Sequence, residues 1–313
     1  MEIFHEFTPN LLQSSAIALG FFDGVHLGHQ AVIKMAINEA KSQGITPAIV
    51  TFKDHPRVLT RGNSPLLLTL IEQRLAIFEG LGIEAVLALT FTEALCRLSA
   101  QEYVQTVLVN GMGAKSISVG FNHHFGRQRE GDPQLLAQYG KSLRFTVNVA
   151  KPVFFDNIEV SSSKIRECLE NTNLDLANKL LSRPFSLLGK VKKGDGRGSQ
   201  LGFPTANLEI SSLQMLPAYG VYAAKVTLAK ESITRPAVVN IGVRPTIDAN
   251  ATHPLAEVHL LDFKGDLYDQ NIEVHFYKYL RPEKKFSNLE ALKAQIQIDC
   301  QAANNSLSSV SSH

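Results

Sequence analysis

Two histidines on a glycine-rich turn are the residues of this chain best suited to chemistry on a phosphate. His26 and His29 lie in the segment Leu19-Gly-Phe-Phe-Asp-Gly-Val-His-Leu-Gly-His29, between an apolar run and a helical apolar pattern. The segment therefore predicts a strand, a turn and the start of a helix. Unpaired backbone N–H groups at a helix N-terminus attract anions, phosphates above all. Imidazoles there could hold nucleotide phosphates and stabilise the charge that develops during transfer at phosphorus.

Two other interpretations of the histidine pair stay open on this segment alone. Histidines at positions i and i+3 could bind zinc, although no cysteine or carboxylate at ligand spacing accompanies them. They could also be loop histidines whose hydrogen bonds are satisfied locally. The choice depends on which other residues the fold brings to the same place.

Four further polar segments stand where strands are expected to end. They are 51–56, 120–126, 127–132 and 160–166. In the last of them, three serines precede a helical run, as is typical of a helix N-cap, and their hydroxyls could hold phosphate oxygens. Arg166, one turn further on, would add a fixed positive charge. The serine run could equally be an ordinary cap, and His55, just before Pro56, an ordinary loop residue.

The first half of the chain alternates strand and helix patterns, which predicts a parallel sheet covered on both faces. Strands are expected at 16–19, 47–52, 84–89, 116–121 and 146–149, and helices at 30–42, 70–80, 100–109 and 133–139. Ligands of such sheets bind beyond the carboxyl ends of the strands. The turn that carries His26 and His29 follows the first strand directly, so it lies at that edge.

After Ser182-Arg183-Pro184 the pattern changes to short alternating runs separated by glycine and proline. The runs are 186–191, 221–228, 237–241, 257–261 and 272–277, and a last helix is expected at 289–298. This pattern predicts an antiparallel sheet or a small barrel. We expect the Ser/Asn-rich residues 301–313 to form a disordered tail.

Composition restricts the class of protein. A chain of 313 residues with 44% hydrophobic residues favours two folded domains. The formal net charge of +2 and the lack of a basic stripe give little support for nucleic-acid binding. The three cysteines are far apart, as is usual for reduced thiols. Without a leader pattern or an apolar run of about 18 residues, we expect a cytoplasmic protein that does not enter a membrane.

The second half has three chemical features of its own. The glycine-rich, basic segment 189–198 could form a phosphate-binding flap or a plain hairpin loop. Thr205 and Asn207 would point the same way from an extended segment, and both are hard oxygen ligands suited to Mg²⁺. Glu257 lies among apolar strand residues. Its carboxylate could act as a general base for an alcohol, or it could simply face solvent.

The first half resembles the flavin adenylyltransferase domain of bacterial bifunctional riboflavin kinase/FAD synthetases. The resemblance is carried by residues 20–29 and 161–166 and implies a Rossmann-like nucleotidyltransferase domain with a parallel sheet. It implies that ATP is bound by Gly20, Phe21, Phe22, Asp23, His26, Gly28, His29, Asn122, Ser161, Ser162, Ser163 and Arg166. Among these, His26, His29 and Arg166 would be catalytic. Asn122 would also lie near a metal ion.

The second half resembles the riboflavin kinase domain of the same family. The matching segments are 189–194, 202–207, 219–222, 240–246, 257–262, 280–283 and 295–299. The resemblance implies a six-stranded antiparallel β-barrel with a terminal helix. It implies ATP contacts at Gly189, Lys190, Gly194, Gly202, Pro204, Thr205 and Asn207, with Thr205 and Asn207 also holding Mg²⁺. Glu257 would deprotonate the terminal ribityl hydroxyl, and Arg281 and Glu283 would lie near the flavin. In the first half, His55 is the residue expected near the flavin.

Together the two resemblances imply one transferase with two steps: riboflavin is phosphorylated by ATP to FMN, and FMN is adenylylated by a second ATP to FAD with release of pyrophosphate. We expect the adenylyltransferase domain at 1–182 and the kinase domain at 183–300. The implied partners are ATP, riboflavin, FMN and Mg²⁺, with no nucleic acid or membrane, and the sequence does not define an oligomeric state.

Two alternatives remain. The family usually has Pro-His-Pro where this chain has Asp54-His55-Pro56, and often Phe where it has His123. A riboflavin kinase with a non-catalytic N-terminal domain would accommodate both departures. A flavin- or nucleotide-binding regulator is the other alternative, although it would not need Thr205, Asn207 and Glu257 together.

Overall fold

The computed structural model describes residues 1–55, 65–193, 202–228, 234–244 and 253–308. The chain divides into two compact units, Met1–Ser162 and a second that begins at Ser163. This division comes earlier than the boundary expected after residue 182, because the intervening helices are bonded to the second unit. The Asn178 amide donates to the Phe276 carbonyl at 2.9 Å and accepts the Phe185 N–H at 2.7 Å.

The first unit is built on a six-stranded parallel sheet of order β1-β4-β3-β2-β5-β6. Its strands are β1 (Glu2–Phe4), β2 (Ser15–Leu19), β3 (Thr46–Phe52), β4 (Ala85–Leu89), β5 (Ala114–Gly120) and β6 (Thr146–Ala150). Its helices are α1 (Leu27–Gln43), α2 (Ile71–Gly80), α3 (Glu93–Arg97), α4 (Ala100–Tyr103), which continues as a π-helical segment (Val104–Gly111), and α5 (Pro133–Leu143). The predicted alternation of strands and helices is confirmed. Strand β1 and helix α3 were not predicted.

Alternate residues of the central strands pack into two different cores. Ile17 and Val50 belong to the core on one face, and Ala18 and Ile49 to the core on the other. All four are 0% exposed, so the sheet is covered on both sides. Strand β2 lies between β3 and β5. After β2 the chain forms β3 and β4 on one side of it, and it then crosses to form β5 and β6 on the other side. Such a switch point opens a crevice at the carboxyl ends of the strands.

The second unit is a closed antiparallel barrel of order β10-β13-β12-β11-β14-β9, as predicted. A short hairpin, β7 (Phe154–Phe155) and β8 (Ile158–Glu159), and helices α6 (Ser162–Glu170) and α7 (Leu174–Leu181) precede it. The barrel strands are β9 (Phe185–Lys192), β10 (Ala206–Ile210), β11 (Gly220–Leu228), β12 (Thr234–Arg244), β13 (His253–Leu260) and β14 (Asn271–Arg281). Hydrophobic alternation marked five of these strands. It missed β10, in which only Leu208 is buried.

The last helix, α8 (Leu289–Ser308), is longer than predicted. The expectation of a disordered tail from residue 301 is wrong for residues 301–308, and residues 309–313 lie outside the described part. Ala303 and Leu307 explain the difference, because they are 0% and 4% exposed and pack against Val221 and Val238 of the barrel. Burial of these two apolar side chains outweighs the weak helix propensity of the Ser/Asn-rich sequence.

Candidate active sites

The first candidate site is the turn between β2 and α1. Phe22 and Val25 have φ angles of 58° and 41°, in a left-handed region that residues with a side chain rarely adopt. Such strain persists only where the surrounding structure fixes it, and it is typical of functional sites. Gly28 allows a close approach, because a Cβ atom there would lie 3.1 Å from the His26 ring. The turn is therefore tightly constrained on both sides of Gly24.

The two histidines stack on each other at the start of α1. The helix begins at Leu27, earlier than predicted, and His26 is its N-cap, with Nδ1 accepting the His29 N–H at 3.3 Å. A neutral His26 ring with Nδ1 as an acceptor carries its proton on Nε2. The ring centroids of His26 and His29 are 3.6 Å apart and the rings are 18° from parallel. Both imidazoles thus lie at the positive end of a 17-residue helix, as an anion site requires.

Asp23 and Ser162 fasten neighbouring segments to this turn. Asp23 is 4% exposed, and its Oδ1 accepts the N–H groups of Leu68 at 2.9 Å and Thr69 at 3.1 Å. The Thr69 hydroxyl accepts the Gly24 N–H at 2.9 Å. The Ser162 hydroxyl donates to the Asp23 carbonyl at 2.9 Å, which brings the first residue of α6 to the turn. The Asp23 carboxylate therefore has a structural reason to be present besides any contact with ATP.

The other predicted residues of this site are distributed as follows. His55 packs edge-on against the Phe21 ring, with centroids 4.8 Å apart. Asn122 follows β5 at the same sheet edge as the turn and is exposed. Gly20 lies where a Cβ would come within 2.9 Å of the Phe22 ring. Ser161 precedes α6, whereas Ser163 and Arg166 lie further along it in the second unit, so contacts of these three with ATP stay predictions.

His123 has an apolar environment that suits an uncharged ring. It stacks on Phe125 at 6.0 Å between centroids, and its Nε2 is enclosed without a hydrogen-bond partner among the described residues. Desolvation lowers the pKa of His123 to about 4, and the charges of His124 and Arg129 act in the same direction. The imidazole is therefore neutral at pH 7, which suits its contact with the Phe125 ring.

We expect the ring signals of His123 in an NMR titration to show a midpoint near pH 4, below the ordinary 6.5. The unfolded chain binds this proton more readily, so the free energy of unfolding should fall as the pH drops from 6.5 towards 4. His123→Phe should remove this part of the fall. A midpoint near 6.5, or an unchanged pH dependence in His123→Phe, would contradict the assignment.

The second candidate site is a row of polar residues across three barrel strands. Glu257 of β13 is the direct cross-strand partner of Asn207 in β10 and of Asn240 in β12. Directly opposed residues of antiparallel strands share a face, with Cβ atoms about 4.5–5.5 Å apart. Glu257 therefore has an amide residue on either side. Asn240 was not among the predicted site residues, although a single polar residue in the buried run 237–241 was a signal for it.

His259 fixes the segment that leads into β10. Its Nδ1 lies 2.8 Å from the Pro204 carbonyl, and its ring packs edge-on against Phe203 with centroids 5.5 Å apart. His259 is two residues after Glu257 and therefore on the same face of β13. The contact brings exposed Thr205, the next residue after Pro204, to the side of the barrel wall that carries Glu257. Gly202 makes the preceding turn with a φ of 83°.

Gly189 and Lys190 have clear structural partners within the barrel. A Cβ on Gly189 would lie 2.6 Å from the Glu209 carbonyl oxygen, so only glycine fits where β9 approaches β10 at this position. Lys190 is paired with Asp269 at 2.8 Å, and this hydrogen-bonded ion pair raises the pKa of Lys190 and lowers that of Asp269. Gly194 lies outside the described residues. Contacts of Gly189 and Lys190 with ATP stay predictions.

Arg281 connects the end of β14 to α8. Its Nε donates to Asp299 Oδ1 at 2.9 Å and its Nη2 to Oδ2 at 2.7 Å, and Asp299 is 4% exposed. Glu283 instead accepts a hydrogen bond from the Asn240 amide at 3.2 Å, which links it to the row that contains Glu257. The geometry therefore makes Arg281 an anchor of the terminal helix. The expected flavin contacts of Arg281 and Glu283 stay predictions.

Comparison with known proteins agrees with two sites on one chain. A family model described as FAD synthetase matches residues 8–164, and one described as riboflavin kinase matches residues 181–307. A bifunctional riboflavin kinase/FMN adenylyltransferase of Pseudomonas fluorescens is 42% identical over 94% of this chain and 93% of its own length. The proteins of the same description from Bacillus subtilis and Escherichia coli are 36% and 34% identical, over 92% and 94% of this chain and 91% and 93% of theirs. The chain belongs to the bifunctional riboflavin kinase/FMN adenylyltransferase family.

Among the solved structures that this chain resembles, one covers nearly its whole length. It is a crystal structure described as a macrolide-efflux protein from Streptococcus pneumoniae, with a TM-score of 0.86 and 27% sequence identity. The match covers 97% of this chain and 99% of that one. Within the part of our chain that the structure describes, no helix combines the length and apolar character needed to cross a membrane.

Proposed function

We propose that the barrel transfers the γ-phosphoryl group of ATP to riboflavin through Glu257. The observation that carries this proposal is the cross-strand row in which Glu257 stands between Asn207 and Asn240. Glu257 accepts the proton of the terminal ribityl hydroxyl, whose oxygen attacks the γ-phosphorus as ADP leaves. The amides of Asn207 and Asn240 orient the carboxylate and the phosphates, and the product is FMN.

The residues beside Glu257 fit a magnesium ion. Thr205 and Asn207 offer a hydroxyl and an amide oxygen two residues apart at the start of β10, and hard oxygen donors are what Mg²⁺ prefers. Bound there together with the phosphates of ATP, Mg²⁺ would neutralise phosphate charge. His259 supports this arrangement, since it fixes Pro204 and thereby the position of Thr205. Asn122 is the corresponding proposed ligand in the first unit.

Asn207→Ala should raise the Mg²⁺ concentration for half-maximal kinase activity by about tenfold or more, because one ligand is lost. The measurement is the initial rate of FMN formation across a Mg²⁺ titration at fixed ATP. Asn271→Ala, which changes an exposed asparagine at the start of β14, is the matched control and should leave the titration curve unchanged. An unchanged half-saturating Mg²⁺ concentration in Asn207→Ala would refute the proposed ligand.

We propose that the first unit joins the AMP moiety of a second ATP to the phosphate of FMN. The FMN phosphate is already a nucleophile, so this step needs no protein base. Pyrophosphate leaves as the new phosphoanhydride bond forms. His26 and His29, at the positive end of α1, would stabilise the charge that develops on the phosphates, and Ser162 lies within reach of the same turn. Arg166 would add its charge from α6.

We propose the cytoplasm as the place of action. Cys96, Cys168 and Cys300 are free thiols, as expected of a protein in a reducing compartment. Burial raises the pKa of each of these thiols, so all three favour the protonated, less reactive form. The substrates ATP, riboflavin and FMN are small molecules, and the proposed chemistry requires no macromolecular partner.

A further inference from the structure

Arg74 is a buried cation that the proposed chemistry does not use. It lies in α2 with 0% of its surface exposed. Its Nη1 donates to the Phe21 carbonyl at 2.7 Å and to the Thr51 hydroxyl at 3.3 Å, and its Nη2 donates to the Lys53 carbonyl at 2.8 Å. One side chain therefore holds together the turn after β2 and the segment after β3.

Phe21 is held at two points by this arrangement. The Thr51 hydroxyl donates to the same Phe21 carbonyl at 3.0 Å, so this oxygen accepts two hydrogen bonds. The Arg74 guanidinium also lies over the Phe21 ring, 4.5 Å from its centroid, while His55 packs on that ring from another side. Phe21 is the second residue of the turn that leads from β2 to His26, the N-cap of α1, so fixing its carbonyl fixes the start of that turn.

Stability of the fold alone does not explain a buried arginine at this position. Desolvation lowers the pKa of Arg74 to about 10, although Asp23, Asp54 and Glu72 oppose the shift. The guanidinium is still protonated at neutral pH. Its guanidinium donates these hydrogen bonds to carbonyl and hydroxyl oxygens, and its Nε has no hydrogen-bond partner among the described residues. An apolar side chain of similar volume could pack here without the desolvation cost of a charge.

We propose that Arg74 is a positioning residue for adenylyl transfer, which holds the Phe21 and Lys53 carbonyls at the spacing that aims the His26–His29 turn at the phosphates. This inference rests on the proposed adenylyl-transfer site. Arg74 does not touch substrate. Its buried charge also adds to the positive potential at the sheet edge where an anionic substrate binds.

The fork of donors distinguishes arginine from lysine at this position. Nη1 and Nη2 reach two carbonyls on different segments at the same time, which a single ammonium group cannot do in the same geometry. Arg74→Lys should keep the charge but lose the simultaneous contact. Arg74→Met should lose both, while it retains a side chain of similar length.

The test is steady-state adenylyl transfer from ATP to supplied FMN by the full-length variants. We expect Arg74→Met to lower kcat by about 10²-fold, as a small misplacement of reacting groups does, and the KM for ATP to change far less. Arg74→Lys should fall between Arg74→Met and wild type. Riboflavin kinase activity of the same preparations reports on folding and should be unchanged. Arg97→Met, which removes an exposed arginine paired with Glu93, should leave both activities unchanged.

Chemical rescue separates positioning from general stabilisation. Guanidinium ion added to Arg74→Ala should raise the adenylyl transfer rate severalfold, whereas urea at the same concentration should not. Wild-type kcat in both Arg74→Met and Arg74→Lys would overturn the inference, and so would a lack of rescue in folded Arg74→Ala. If Arg74→Met does not fold, Arg74→Lys and the rescue decide. Failure of the wild-type protein to make FAD would instead overturn the proposed function.

Discussion

Replacing Glu257 with glutamine should lower the rate of FMN formation by about 10³-fold, as the loss of a general base does. The change keeps the shape of the side chain and its place between Asn207 and Asn240, but the amide cannot accept the proton of the ribityl hydroxyl. FAD formation from supplied FMN should be unchanged, because that reaction belongs to the first unit. Both rates are measured on one preparation by chromatographic separation of flavins.

Glu209→Gln is the matched control for this experiment. Glu209 is an exposed carboxylate on β10, paired with Lys192 at 3.3 Å, and its replacement should leave FMN formation unaffected. If Glu257→Gln forms FMN at a rate comparable to the control, Glu257 is not the base. If Glu257→Gln loses FAD formation from supplied FMN as well, the two activities do not belong to separate sites.

His29→Ala should have the opposite selectivity, with adenylyl transfer reduced by about 10²–10³-fold and riboflavin phosphorylation retained. The imidazole stands at the positive end of α1, stacked on His26 at 3.6 Å, where it would stabilise charge on the phosphates. The substitution keeps the backbone N–H of residue 29, which donates to His26 Nδ1 in the helix cap, so the start of α1 should be unchanged. The measurement is FAD formation from FMN and ATP under single-turnover conditions.

His5→Ala, which alters an exposed histidine near the N-terminus, controls for the loss of an imidazole. It should keep both activities. A loss of less than about threefold in His29→Ala would exclude a contact with the phosphates in the transition state. Equal losses in FMN and FAD formation would point to a folding defect in place of a catalytic one.

The order of the secondary structure was predictable because the hydrophobic patterns are local. Alternation of strand and helix periods identified the parallel sheet, and the short runs after residue 182 identified the barrel. The start of α1 was placed too late, since histidine is not among the usual N-cap residues and its capping bond to His29 could not be foreseen. The π-helical continuation after Tyr103 has no local sequence signal that we recognise.

The site residues that belong to one contiguous motif were predictable from the sequence. Those that meet only through contacts between distant segments of the chain were not. The stacked histidines come from one segment, and the resemblance selected them. Asn240 stands opposite Glu257 only because of strand register in the closed barrel. Arg74 looks like an ordinary polar position of an amphipathic helix, and its burial follows from bonds to Phe21, 53 residues away. Neither feature can be derived from spacing along the chain.

The central claim is that one chain carries two separate transfers from ATP. The most direct measurement incubates the purified protein with riboflavin, Mg²⁺ and ATP that carries radioactive phosphorus at either the α or the γ position, and separates the flavins over time. We predict that γ-label enters FMN first and then FAD, whereas α-label enters FAD alone. Accumulation of γ-labelled FMN without any α-labelled FAD would contradict the claim and leave the chain a riboflavin kinase.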